Sequence, residues 1–113
     1  MKNEIYRQGD VLLRRVSFIP ETAKPAEKKD AHGNARIVLA YGEVTGHAHV
    51  ITLPDTERHK VRYWNAGAER FLQVMEKVAL THEEHGEIVL DKGIYRQGFQ
   101  VEDFGEEVRR VAD

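Results

Sequence analysis

The shortness of the apolar runs constrains this chain most. β-Branched and large aliphatic residues come in brief stretches separated by glycine, proline, asparagine and aspartate, and no stretch holds a 3.6-residue period long enough for a substantial helix. Val11-Leu12-Leu13-Arg14-Arg15-Val16, after Gly9-Asp10, reads as a first strand. Arg36–Tyr41 is the next. Residues 42–46 predict a turn, and His47–Leu53 resumes extended structure until Pro54-Asp55. His59–Trp64 alternates and breaks at Asn65-Ala66-Gly67, while Arg70–Glu76 reads as strand because residues 68–80 lack both a helical period and a terminal cap. Glu87–Leu90 and Ile94–Gln97 predict a hairpin over Asp91-Lys92-Gly93, with Gly93 at positive φ, and Phe99–Phe104 continues the second arm.

About eight strands at a spacing of roughly 8–12 residues imply an all-β domain, a small antiparallel barrel or sandwich. With 113 residues and no composition break, residues 1–113 read as one β domain. Residues 20–34 hold prolines, lysines, glutamates and alanine as their sole apolar type, which predicts a mobile polar loop. Residues 106–113 are charged and read as a last edge strand or a frayed tail. One tetrapeptide occurs twice: Tyr6-Arg7-Gln8-Gly9 and Tyr95-Arg96-Gln97-Gly98. Four residues are little evidence of duplication, but the match suggests two arms that neighbour each other in the sheet.

Composition enters through what it excludes. The chain has no cysteine, so disulfides and cysteine-based zinc knuckles are ruled out and a reducing compartment is permitted. Its first residues lack the apolar core of a signal peptide, and no apolar run approaches the ~20 residues of a membrane helix, so a cytoplasmic location is expected. A net charge of -2 argues against strong electrostatic binding of nucleic acid.

The candidate site lies in the histidines. Four of the six fall in two blocks, Thr45-Gly46-His47-Ala48-His49 at a strand entry and Thr81-His82-Glu83-Glu84-His85-Gly86 in a connection. Residues i and i+2 of a strand share a face, with Cα atoms roughly 6.5–7 Å apart, so imidazoles so placed can converge on one ion. His82 and His85, three apart in a turn, can also chelate, and Glu83 and Glu84 add carboxylates as ligands, as groups that orient an imidazole, or as a general base. The reading is a divalent transition-metal site of His47, His49, His82 and His85. Zn, Fe, Ni and Mn all suit imidazole and carboxylate ligands.

The segment from Gly42 to His49, with His-x-His entering a strand, resembles the first metal-binding motif of cupins, small double-stranded β-helix barrels. The resemblance implies a cupin-like barrel as first choice of fold, with His47 and His49 as two ligands and His82 or His85 as the histidine of a later strand. It covers under a third of the chain. The glutamate that cupins place shortly after the motif is absent, since Ile51-Thr52-Leu53-Pro54 stands there, and Glu83 or Glu84 would have to replace it. The paired blocks also resemble those of small uncharacterised bacterial proteins, which implies no activity.

An ion with an open position would support hydrolysis or small-molecule chemistry, whereas a closed shell would be structural. The alternative needs no metal: paired histidines act as general acid and base on RNA, Thr45 and Thr81 hold the phosphate, and Arg14, Arg15, Lys60 and Arg62 line the groove. Lys60, Arg62 and Trp64 alternate with Val61 and Tyr63, giving a basic face with an aromatic end suited to stacking a base, or simply a solvated face. Whether the protein is an enzyme is left open, the partner is a small molecule or RNA, and an exposed sheet edge makes a homodimer reasonable.

Overall fold

The computed structural model describes residues 4–26, 28–29, 33–41 and 47–99. Among them run the strands β1 (Ile5–Gln8), β2 (Val11–Val16), β3 (Lys24–Pro25), β4 (Lys28–Lys29), β5 (Ala35–Tyr41), β6 (Ala48–Leu53), β7 (Val61–Ala66), β8 (Glu69–Val74), β9 (Val78–Leu80), β10 (Ile88–Leu90) and β11 (Gly93–Phe99). A six-stranded antiparallel sheet has the order β1-β2-β11-β8-β7-β3. Facing it are β4-β5-β6 and the pair β9-β10, which an antiparallel bridge between Val50 and Thr81 joins to β6. The all-β expectation holds. Of barrel and sandwich, the fold is sandwich-like.

Period-two alternation builds the core between these layers. Val11, Leu13, Val61, Tyr63, Leu72, Val74 and Tyr95 come from the larger sheet, and Ile37, Leu39, Ile51, Leu53, Leu80 and Leu90 from the opposite side. Two hairpins of the larger sheet close over two residues, Gly9-Asp10 between β1 and β2 and Gly67-Ala68 between β7 and β8. Each opens on a glycine with positive φ, 60° and 64°, the backbone that such tight turns need. In β5 the register slips between Val38 and Ala40, a bulge at Leu39 directly opposite the step from Val50 to His49.

Several expectations need correction. Residues 20–34 are not one loop: Lys24–Pro25 pairs with Asn65 and Trp64 of β7, and Lys28–Lys29 pairs with β5. Both strands lie at sheet edges, where lysine and a proline without an N–H are tolerated best. His59 and Lys60 belong to a 3-10 segment, Asp55–Lys60, that follows Pro54, and the strand starts only at Val61. The hairpin over Asp91-Lys92-Gly93 does not form. β10 pairs with β9, while β11 lies between β2 and β8 in the other sheet, so residues 91–92 carry the chain across the sandwich. Gly93 lacks a positive φ and serves close approach instead, since a Cβ there would lie 2.0 Å from Arg15 Nη1. That guanidinium donates to Lys92 O and Tyr95 Oη. The strands that carry the repeated tetrapeptides do not pair with each other: β1 and β11 flank β2 from its two sides. The expected turn at 42–46, the arm to Phe104 and the tail at 106–113 lie outside the described residues.

Candidate functional site

The bridge between Val50 and Thr81 sets the register of the site. Val50 N–H donates to Thr81 O and Thr81 N–H to Val50 O, both at 2.9 Å. Beyond that isolated bridge the two segments stay side by side, which brings His49 near His82, Ala48 near Glu83 and His47 near Glu84. Contacts follow that order. The His49 and His82 ring centroids are 4.3 Å apart, Ala48 N–H donates to Glu83 Oε1 at 3.0 Å, and His47 Nδ1 lies 3.4 Å from Glu84 Oε1. The two histidine blocks therefore meet. His82 is their centre, with its ring also 5.6 Å from that of His47 and 4.5 Å from that of His85.

The four rings differ in setting. His49 shares the inner face of β6 with Ile51 and Leu53 and is fully buried. Its Nδ1 lies 2.9 Å from Gln8 Oε1. The Gln8 amide nitrogen donates to Leu80 O and Gly86 O, so its oxygen is the acceptor and His49 Nδ1 carries the proton. His49 Nε2 then faces Asp10 Oδ1 at 3.7 Å. His82 has the opposite tautomer, because its Nδ1 accepts the backbone N–H groups of Glu84 and His85 at 3.0 and 3.2 Å. In the neutral ring the proton is therefore on Nε2. His85 leans over the β1–β2 turn, where a Cβ on Gly9 would come within 2.8 Å of His85 Nε2 and 3.0 Å of His49 Cε1. Gly9 is required there twice, by its φ and by two imidazoles.

On the outer side, one ligand atom each from His47, His82 and Glu83 lies within 4.8 Å of the other two. Beside this group is a groove of about 230 Å³ lined by Ala48, Val50, Thr81, His82 and Glu83. Hydrogen bonds from the backbone N–H of Ala48 and from its own N–H, aided by the nearby His47 and His82, hold the Glu83 carboxyl below its usual range. A carboxylate so held suits charge pairing better than proton abstraction, so it fits a ligand role better than the general-base role read from the sequence. Glu84 is well exposed beside His47.

Thr81 lies at the site, but its hydroxyl donates to Val50 O at 3.1 Å, so it ties the two strands together. Thr45 lies outside the described residues, as does His32. Lys60, Arg62 and Trp64 do not join the histidines. Lys60 is ion-paired with Glu57 at 2.8 Å in the 3-10 segment, ahead of the strand. Arg62 stacks on the Trp64 ring at 5.1 Å, and both alternate with buried Val61 and Tyr63, on the outward face of the larger sheet. His59 is exposed and pairs with Glu76 at 3.3 Å. Gln8, Gly9 and Asp10 were missed by sequence reasoning. Their one signal was the repeated tetrapeptide, which contains the first two without indicating a histidine partner.

The chain belongs to the family described as a domain of unknown function, DUF8820, whose model matches residues 7–100. No curated protein and no solved structure gives a significant match. Among the described residues, no helix is long and apolar enough to cross a membrane.

Proposed function

For this DUF8820 member we propose binding of a divalent transition-metal ion by His47, His82 and Glu83, on the outer side of the Val50–Thr81 bridge. The observation that carries the proposal is the convergence of three ligand atoms from two distant chain segments to within 4.8 Å. Two imidazoles and a carboxylate suit zinc or a neighbouring first-row ion, and the adjoining groove leaves room for water or a small molecule at a further position. Of the cupin-like pair His47 and His49, only His47 belongs to this group, and Glu83 takes the carboxylate role. An ion at this place with an open position would activate water for hydrolysis of a small substrate.

His82 sets a cost on binding. Its Nδ1 accepts two backbone N–H groups, so the neutral metal-free ring carries its proton on Nε2. Ligation by neutral imidazole through Nε2 needs that proton on Nδ1 instead, so binding exchanges those two hydrogen bonds for the bond to the metal.

The test is elemental analysis of untagged protein purified without chelator, for wild type and for His47→Ala with Glu83→Gln. Near-stoichiometric metal in wild type, lost in the double variant, is the expected result. Wild type that stays metal-free after reconstitution sinks the proposal and favours the metal-independent reading. In that reading His82 Nε2–H donates a hydrogen bond to an RNA phosphate.

A further inference from the structure

We infer that the outward face of the six-stranded sheet binds single-stranded nucleic acid, with Arg14 and Arg96 holding phosphates and Trp64 stacking a base. This face belongs to the layer opposite β6 and β9, and it shares no residue with the group of His47, His82 and Glu83.

Strand register builds the face. Residues paired across an antiparallel sheet point to the same side, and successive residues of a strand point to opposite sides. Trp64 pairs with Phe71, Phe71 with Arg96, and Arg96 with Arg14, so these four form one row across β7, β8, β11 and β2. Tyr63, Leu72 and Tyr95, one position away on three of those strands, lie in the core, which turns the row outward. Arg62 stands in one neighbouring row, and Arg7 of β1, paired with Leu12, in the other. Among the described residues, the outward positions of β1, β2, β7, β8 and β11 thus carry Arg7, Arg14, Arg62 and Arg96 against a single acid, Glu69. The net charge of -2 is an average over the whole chain and conceals this one-sided face.

Charge of this kind attracts any polyanion, and the aromatic residue narrows the choice. Phe71 and Leu12 share the face but are buried, so half-buried Trp64 is the aromatic that can receive a base. The Arg62 guanidinium lies over the indole at 5.1 Å, a planar stack that a nucleobase can extend. Bases in a duplex are stacked on each other, whereas those of a single strand can leave the stack for an aromatic ring. Adjacent strands are about 4.8 Å apart, which puts Arg96 ~10 Å and Arg14 ~14 Å from Trp64 along the row, a track a few nucleotides long. Guanidinium groups keep their charge whatever else they contact, and their flat fork of donors matches phosphate.

Trp64 is the sole tryptophan of the chain, so its fluorescence reports this face directly. The test is titration of the full chain with labelled oligothymidylate, alone and as a duplex with oligoadenylate, read by anisotropy and by Trp64 quenching. Single-stranded oligonucleotide should bind at low salt with parallel quenching, and more tightly than duplex. Arg14→Ala combined with Arg96→Ala should lower the slope of log affinity against log salt by about 1.4, the share of two phosphates. Trp64→Leu should weaken binding about tenfold. No binding at low salt, or binding that the arginine pair leaves unaltered, would overturn the inference. So would binding abolished by His82→Ala, which moves the contact to the histidines, and equal affinity for duplex without quenching, which leaves a general polyanion surface. Should Trp64→Leu fail to fold, the arginine pair decides the question alone.

Discussion

The two copies of Tyr-Arg-Gln-Gly invite comparison, since the same four residues are put to different uses. In each, tyrosine and glutamine two positions apart face the core: Tyr6 and Gln8 from β1, Tyr95 and Gln97 from β11. The tyrosines meet edge to face at 5.6 Å. Both glutamines donate across the sandwich to backbone carbonyls of the opposite layer. Gln97 donates to Leu39 O, the carbonyl at the β5 bulge, and Gln8 to Leu80 O and Gly86 O. Their oxygens differ. Gln97 accepts the phenol of Tyr63, whereas Gln8 accepts His49 Nδ1–H. One copy is a structural tie, and the other is the same tie with an imidazole at its end. The four-residue motif thus specifies a buried amide spanning two layers, and the neighbour across the core decides whether that amide orients a candidate ligand.

Replacing the glutamines separately breaks the comparison most directly. Gln97→Ala and Gln8→Ala each strand buried polar groups and should destabilise by about 2–4 kcal/mol in denaturant unfolding. Only Gln8→Ala should also weaken metal binding, because it loosens the His49 ring that packs against the ligand His82 at 4.3 Å. Equal metal affinity in the two variants would show that Gln8 is no more than a second Gln97.

A smaller effect is expected at the glycine of the first copy. Gly9→Ala imposes a side chain at φ 60° and against two imidazoles, and should lose about 1–3 kcal/mol of stability together with metal uptake. Calorimetric unfolding with and without added zinc separates the two losses.

The smallest effect concerns acid. Glu83 is held below its ordinary carboxylate value chiefly by the Ala48 N–H. Its folded form therefore binds protons less readily than its unfolded form, and the stability it contributes is present above the unfolded value near 4.5 and lost as pH falls through the folded one. Glu83→Gln should flatten that part of the stability-versus-pH curve in metal-free protein. An unchanged acid limb would show that the Ala48 hydrogen bond contributes nothing.

Much of the fold was legible because side-chain alternation is a local property. Val11–Val16, Arg36–Tyr41, the strand from Ala48 to Leu53 and the Arg70 segment all read as strands from period and β-branching, and they are strands. Segments without an apolar signal were misread. Lys24–Pro25 and Lys28–Lys29 are strands only because an edge is available to pair with, which no property of their own residues announces. Glu87–Leu90 and Ile94–Gln97 look like a hairpin locally, but their partners lie in different layers.

The candidate site divides along the same line. The sequence by itself determined that four histidines would stand at strand ends in two blocks beside carboxylates, since spacing and turn chemistry are written residue by residue. Only the tertiary structure decided that His49 faces His82, because the pairing of Val50 with Thr81 joins segments 31 residues apart and a shift of one residue would turn every ring to the other face. It also decided which imidazole nitrogen carries the proton, through Gln8 for His49 and two backbone N–H groups for His82. It alone brought Gly9 and Asp10 beneath the rings. Register and hydrogen-bond partners are long-range properties of the packed core, and local sequence does not encode them.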